Sequence, residues 1–135
     1  FKNKAVMDNS EIAGKYCVYL LSHEKAECFY VISLDAKSRL INTTLISRGT
    51  VSETPVYIRS VVEAVIKSNA RSVILAHNHP GGSLVPTVSD IETTVSVVKT
   101  LNILDVCVAD HIIVADDKYL SMNDKGLIKN SIKFN

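Results

Sequence analysis

Hydrophobic and polar residues follow one another along the chain in blocks that predict interleaved helices and strands. Residues 10–20 carry apolar side chains at helical spacing, and Ser10 is the candidate N-cap of this helix. Residues 27–35 are rich in aromatic and β-branched side chains and predict a strand. Residues 39–47 alternate well enough to form its antiparallel partner across a short turn.

A second helix and a central strand are predicted next. Thr54 is the expected cap of the helix and Pro55 its first residue, where the missing N–H costs nothing. Asn69 is expected to end it. Residues 72–79 form a continuous apolar run, which is typical of a strand buried on both faces. The apolar stripe of the helix is predicted to contain Ile58, Val61, Val62, Val65 and Ile66.

The last third of the chain continues this alternation. A Gly/Pro loop over 80–86 leads into a helix that starts at Thr87 and runs to about Leu101. Residues 105–115 predict a strand, and a short strand "KYLSM" and a weak terminal helix follow. The order α-β-β-α-β-α-β-β-α contains hairpins, so we expect an α/β (α+β) fold with a mixed sheet flanked by helices.

Bulk properties narrow the class of protein. A chain of 135 residues with 47% hydrophobic residues predicts one domain over 1–135 with a substantial core. The net charge of +1 leaves a nucleic-acid partner possible but unsupported. The sequence contains no run of about 18 apolar residues, so no membrane span is expected. The three cysteines form no C-x-x-C pair, which favours a reduced, cytoplasmic setting. The start at Phe1, without Met, suggests an excised piece of a longer protein.

The segment "LAHNHPGGSLVPTVSD", residues 75–90, carries the candidate chemistry. His77 and His79 are two apart on a predicted strand, so both imidazoles leave the same face at its C-terminal end. Asp90 falls in the first turn of the next helix, and the Gly/Pro loop lets that turn fold back. Two histidines and one carboxylate form a common catalytic zinc set with one position open for water. Such a zinc lowers the pKa of its water to roughly 7.

A purely structural interpretation also accounts for these residues. Thr87 and Asp90 have the spacing of a capping box, and the two histidines could be polar residues at a strand end. The two interpretations are compatible, because Thr87 can cap the helix while Asp90 binds metal. Other histidine motifs do not fit: the cysteine pair of the nucleobase deaminases and the H-E-x-x-H helix of metalloproteases are missing.

The spacing from His77 to Asp90 resembles the H-x-H-x7-S-x2-D pattern of the JAMM (MPN-domain) metalloproteases, with Thr87 in place of Ser. "AHNHPGG", "SRGT" and "DHIIV" are similar to the bacterial RadC family, over about residues 10–122. The resemblance implies the MPN/JAB, cytidine-deaminase-like architecture. RadC proteins usually also carry an N-terminal helix-hairpin-helix region, so the chain is expected to be the C-terminal domain of a longer protein or a short relative.

The resemblance also implies roles for individual residues. Zinc would be held by His77, His79 and Asp90. Glu27, at the start of an early strand, would take a proton from the metal-bound water and deliver it to the leaving amine. Thr87 would donate a hydrogen bond to the developing oxyanion. His111 is either a neighbour of the site or a core histidine. The other glutamates considered for the role of base are Glu24, Glu53 and Glu63.

The expected function is therefore a zinc-dependent hydrolase of JAMM type that cleaves a peptide or isopeptide amide bond in a protein or peptide substrate. One alternative is a non-catalytic MPN scaffold, because some relatives of this kind have lost their ligands. Another is a role in DNA repair, which the RadC family name suggests. No membrane partner is expected, and the sequence does not indicate an oligomeric state.

Overall fold

The computed structural model describes residues 5–49 and 54–131, and all of their side chains except those of 54–56. The described residues form three helices and five strands. The helices are α1 (Ser10–Leu21), α2 (Thr54–Ser68) and α3 (Val88–Ile103), and the strands are β1 (Cys28–Leu34), β2 (Leu40–Arg48), β3 (Ser72–Asn78), β4 (Cys107–Ala115) and β5 (Lys118–Ser121). None of these helices is long and apolar enough to span a bilayer.

The five strands form one mixed sheet with the order β2-β1-β3-β4-β5. β1 is antiparallel to both β2 and β3, and β4 forms an antiparallel hairpin with β5. The parallel pair β3 and β4 is joined by α3, as a parallel connection requires a crossover. The predicted α/β fold with a mixed sheet is confirmed.

Helices cover both faces of the sheet. α1 packs on one face, against β3, β4 and β5, whereas α2 and α3 pack together on the other. The two apolar cores follow this division. The core under α2 and α3 contains Val31, Val61, Val73, Leu75, Val97, Leu101 and Val108, and the core under α1 contains Cys17, Leu21, Ile32, Leu34, Ile74, Ile112 and Val114.

Alternation along β3 decides which polar residue reaches which face. Leu75 faces the α2/α3 side and Ala76 the α1 side, so His77 and Asn78 continue to opposite sides. Asn78 is used for structure: its amide oxygen accepts from the backbone N–H of Cys28 at 2.7 Å, and its amide nitrogen donates to the carbonyl of Ala26 at 3.0 Å. The His77 side chain therefore lies on the α2/α3 face of the sheet, at the end of β3.

The predicted cap of α1 is wrong by one residue. Asn9, not Ser10, is the N-cap: its backbone is extended and its side chain accepts from the backbone N–H of Ile12 at 2.9 Å. Ser10 is the first helical residue, and its hydroxyl donates to Asp124 at 2.7 Å. Both residue types cap helices well. Local sequence therefore could not choose between these two neighbours, and the contact to Asp124 is remote in sequence.

Two further expectations are corrected. The described residues that follow β5, 122–131, contain turns and no helix, with Gly126 in the left-handed region at φ 74°. In α2, Ile66 was expected in the buried apolar stripe, but its side chain is 66% exposed. The proposed cap Thr54 and residue Pro55 lie outside the described side chains. The helix ends as predicted before Asn69, and its buried face contains Tyr57, Val61, Ala64 and Val65.

Gly14 offers a test of how α1 packs on the sheet. A Cβ at this position would overlap the Tyr119 ring of β5. In an unobstructed helix, Gly→Ala stabilises by about 0.5–1 kcal/mol. We expect Gly14→Ala instead to lower the free energy of unfolding by roughly 1–3 kcal/mol, the cost of overpacking, in urea titrations. In a Tyr119→Ala background the same substitution should become neutral or stabilising. Stabilisation by Gly14→Ala alone would contradict this packing.

Candidate metal centre

The end of β3 and the start of α3 form the candidate site. His77 is the last but one residue of β3, and His79 follows directly after the strand. The backbone N–H of His79 donates to the carbonyl of Val114 in β4 at 2.8 Å. The backbone hydrogen bonding to β4 thus continues one residue past the end of β3. The side chains of His77 and His79, two residues apart, therefore point to the same face of the sheet.

The loop between the histidines and α3 turns back tightly. The N–H of Gly82 donates to the carbonyl of His79 at 3.0 Å, and Gly82 has φ 91°, which glycine adopts at little cost. His79 Nδ1 lies 2.7 Å from the carbonyl oxygen of Ser83. A carbonyl only accepts, so Nδ1 carries the hydrogen. This bond orients the His79 ring and, in the neutral imidazole, puts the lone pair on Nε2.

Thr87 caps α3 and Asp90 completes the capping box. The Thr87 hydroxyl oxygen accepts from the backbone N–H of Asp90 at 3.0 Å, and Asp90 Oδ2 accepts from the backbone N–H of Thr87 at 2.8 Å. The same carboxylate also faces both histidines. The structural interpretation and the metal interpretation of this segment are therefore compatible in the folded chain, as expected.

Three side-chain groups converge at this point. His77 Nε2 lies 2.9 Å from His79 Nε2 and 3.1 Å from Asp90 Oδ1, and His79 Nε2 lies 3.0 Å from Asp90 Oδ2. A tetrahedral zinc with bonds of about 2.0–2.1 Å sets its ligand atoms about 3.3 Å apart. The observed separations are close to this value, so small movements would accommodate the ion. These three residues are the group that could hold a metal ion among residues 5–49 and 54–131.

A hydrogen-bonded chain behind His77 sets its tautomer. The Thr94 hydroxyl donates its only hydrogen to the carbonyl of Asp90 at 2.7 Å, so its oxygen accepts from His111 Nδ1 at 2.6 Å. Complete burial lowers the pKa of His111 well below its usual range, and the neighbouring His77 adds to the effect. His111 is thus neutral, and its Nε2 accepts from His77 Nδ1 at 2.7 Å. In its neutral form, His77 therefore has its lone pair on Nε2.

When both imidazoles are neutral, the facing atoms are all electron-pair donors. Burial raises the pKa of Asp90, but the neighbouring His77 and hydrogen bonds from Thr87 outweigh burial and lower it, so the carboxylate is ionised. In that state two imidazole nitrogens and a carboxylate, about 3 Å apart, repel one another unless a positive charge lies between them. One added proton would bridge a single contact, whereas a metal ion satisfies all three. The donor set fits zinc.

A cavity of about 250 Å³ opens onto this group. Its lining includes Glu27, Tyr57 and Thr87 besides the three convergent residues. Phe29 pairs with His77 across β1 and β3, and continuing that antiparallel register by two residues sets Glu27 opposite His79. Glu27 is half-buried, and its backbone carbonyl accepts from the N–H of Gly49 at 2.8 Å. The carboxylate is thus carried on a fixed backbone beside the site.

Comparison with known proteins agrees with this geometry. The family described as RadC-like JAB domain matches residues 7–127. The chain belongs to the RadC family. This RadC-like domain is 42% identical over 120 residues to a UPF0758 protein of Finegoldia magna, a match that covers 89% of the chain and 53% of that relative. It is 37% identical over 125 residues to a UPF0758 protein of Pseudomonas entomophila, covering 93% of the chain and 55% of that relative. The domain therefore spans about half the length of these relatives.

The RadC domain brings the expected site residues together and separates their competitors. His77, His79, Asp90, Glu27 and Thr87 all line one cavity. His111 lies directly behind His77 and is a neighbour of the site. Of the competing glutamates, Glu24 pairs with Arg48 and accepts from the Cys28 thiol, Glu63 is exposed on α2, and Glu53 lies outside the described residues.

Sequence reasoning missed two residues that the RadC fold places at the site. Thr94 lies four residues after Asp90, one turn further along the same face of α3, and this spacing could have identified it. Tyr57 lies four and eight residues before Val61 and Val65, so helical spacing also placed it on the buried face of α2. Neither threonine nor tyrosine is a usual zinc ligand, so a metal-ligand pattern in the sequence singles out neither residue.

The chain behind His77 predicts an effect on metal affinity. His111→Phe removes the acceptor for His77 Nδ1–H at similar size, and we expect zinc affinity to fall about 10–100-fold, as for other groups that orient a ligand. Thr94→Val should weaken zinc in the same direction, whereas Thr94→Ser keeps the hydroxyl and should change little. Competition with a chelating zinc dye measures the affinities, and circular dichroism checks the fold. Equal affinity in His111→Phe and wild type would contradict the role of this hydrogen bond.

Proposed function

We propose that this RadC-like JAB domain is a zinc-dependent hydrolase that cleaves a peptide or isopeptide amide bond. The observation that carries the proposal is the convergence of His77, His79 and Asp90 at separations of 2.9–3.1 Å, three groups that can each give an electron pair to a metal ion. Two histidines and one carboxylate leave a fourth position open, which is typical of catalytic rather than structural zinc sites. Bound there, zinc would supply a water with a pKa lowered to roughly 7 and polarise a carbonyl oxygen.

Glu27 is the proposed general base and acid. Its half-buried carboxylate lines the cavity that contains the three convergent residues. It would take a proton from the attacking water as the water oxygen bonds to the carbonyl carbon. When the carbon–nitrogen bond breaks, Glu27 would return that proton to the leaving nitrogen, which yields a carboxylic acid group and an amine. A carboxylate that moves one proton in both directions needs no further co-reactant.

Thr87 is proposed to assist at the carbonyl oxygen. Its hydroxyl oxygen accepts from the backbone N–H of Asp90, so that bond does not use the hydroxyl hydrogen. The side chain is exposed at the rim of the cavity. A hydroxyl held by a helix cap, with its hydrogen available, can donate to an oxygen that gains negative charge during the reaction. The cap thus fixes the position from which a threonine would do what serine does in the JAMM pattern.

The proposal predicts that Glu27 is essential for hydrolysis. We expect zinc-loaded protein, incubated with a proteome-derived peptide mixture in ¹⁸O water, to produce new carboxyl termini that carry one ¹⁸O atom by mass spectrometry. Glu27→Gln should lower that rate by about 10²–10⁴-fold, because a positioned base contributes this much. Zinc affinity should stay close to wild type, since Glu27 is not a proposed ligand.

Glu63→Gln is the matched control, because Glu63 is an exposed glutamate on α2 and its loss should leave the rate unchanged. Equal rates for wild type and Glu27→Gln would contradict the proposed mechanism. Zinc-loaded wild type that cleaves no member of the mixture, and retains zinc after Glu27→Gln, would favour a non-catalytic scaffold.

A further inference from the structure

A buried hydroxyl beside the candidate metal centre has no hydrogen-bond partner among the described residues. Tyr57 is 4% exposed, and its hydroxyl oxygen is inaccessible to solvent and unpaired within residues 5–49 and 54–131. Ser47 lies near enough to lower the pKa of the phenol, but its approach to the Tyr57 hydroxyl does not meet the distance and angles of a hydrogen bond. Buried polar groups are almost always paired, and an unpaired one is destabilising. We therefore expect the Tyr57 hydroxyl to have a hydrogen-bond partner in the working state of the domain.

The Tyr57 ring is held by the same aromatic residue that packs on the metal ligands. Its centroid lies 5.0 Å from that of Phe29, and Phe29 stacks on His77 at 6.1 Å and meets the edge of His111 at 5.7 Å. Tyr57 also belongs to the apolar core under α2 and α3. The ring that carries the hydroxyl is thus packed against the residue that also packs on His77 and His111.

The surroundings of Tyr57 make it a donor. Burial raises the pKa of the phenol, and the carboxylates of Glu27 and Asp90 raise it further, so the group keeps its hydrogen at neutral pH. Tyr57 lines the same cavity as these two carboxylates. Carboxylates and the lone-pair nitrogens of His77 and His79 are all acceptors. An oxygen atom that enters the cavity therefore needs donors, and Tyr57 and the exposed Thr87 are two residues of its lining that carry a hydroxyl.

We propose that the Tyr57 hydroxyl donates a hydrogen bond to an oxygen atom of the carbonyl or carboxylate group that binds at the His77–His79–Asp90 centre. This inference rests on the proposed metal centre and adds a substrate contact to it. Thr87 at the rim and Tyr57 in the cavity wall would then be the two donors to the oxygen that gains charge, as in oxyanion sites, with the bound ligand opening a path to the buried Tyr57 hydroxyl. The unpaired hydroxyl of the free domain would be satisfied when a ligand binds.

The test compares Tyr57→Phe with Tyr16→Phe in cobalt-loaded protein. Tyr16 is the matched control, because its half-buried hydroxyl already pairs with Thr43 at 2.7 Å in contact with the α1 core, on the other face of the sheet. The visible spectrum of cobalt reports the binding of two probes. Acetohydroxamate presents a carbonyl oxygen, and 2-mercaptoethanol binds through sulfur without needing a donor.

We expect Tyr57→Phe to weaken acetohydroxamate about tenfold or more, the usual effect of losing a hydrogen bond to a charged group, and to leave affinity for 2-mercaptoethanol and for cobalt unchanged. Its melting temperature should be equal to or above that of wild type, because no existing bond is lost. Tyr16→Phe should melt lower and bind both probes normally.

Unchanged acetohydroxamate affinity in Tyr57→Phe would overturn the inference and leave the metal centre standing. A lower melting temperature and weaker cobalt binding, with both probes affected equally, would show a structural role and also overturn it. Wild-type protein that binds no cobalt would instead contradict the metal centre of the proposed function.

Discussion

The hydrogen bond from His77 to His111 determines what this site can bind. His111 is buried and neutral, and Thr94 uses up its Nδ1–H. His77 must then donate through Nδ1, so in the neutral imidazole the electron pair is on Nε2, which faces His79 and Asp90. A metal-ligating histidine usually donates its other N–H to a carbonyl or carboxylate. Here the acceptor is a second histidine whose own orientation depends on α3, so one helix controls both Asp90 and His77.

The fold makes this arrangement possible at a single point. β3 is central in the sheet, with β1 on one side and β4 on the other, so His77 emerges between Phe29 and His111 with its ring supported by both. The connection from β3 to β4 must cross over through a helix, and the tight loop at Gly82 brings the start of α3 back to the strand end. The capping box then aligns Asp90. The helix that connects the two parallel strands is thus also the helix that brings Asp90 to the two histidines.

Much of this site could be predicted from the sequence, because its elements are local. The two-residue spacing of His77 and His79 and the four-residue span from Thr87 to Asp90 each depend on one strand or one helix turn. The element order and the mixed sheet followed from periodicity for the same reason. The RadC resemblance predicted the family, which the comparisons confirm.

The sequence could not indicate features that depend on contacts between distant segments. Ser10, the residue after the Asn9 cap of α1, donates to the distant Asp124, and Asn130 in the segment after β5 donates to the carbonyl of Val108 at 3.0 Å. The role of His111 depended on the register of β4 against β3. The unpaired hydroxyl of Tyr57 could be found only once the partners of every buried oxygen were known.

The most direct test of the account is anomalous scattering at the zinc edge from crystals of protein that has met neither a chelator nor a metal-affinity column. We expect a single strong peak within about 2.0–2.2 Å of His77 Nε2, His79 Nε2 and an Asp90 oxygen, at one zinc per chain by elemental analysis. No peak at this position, with the three side chains still converging, would contradict the central claim that their electron pairs require a metal cation.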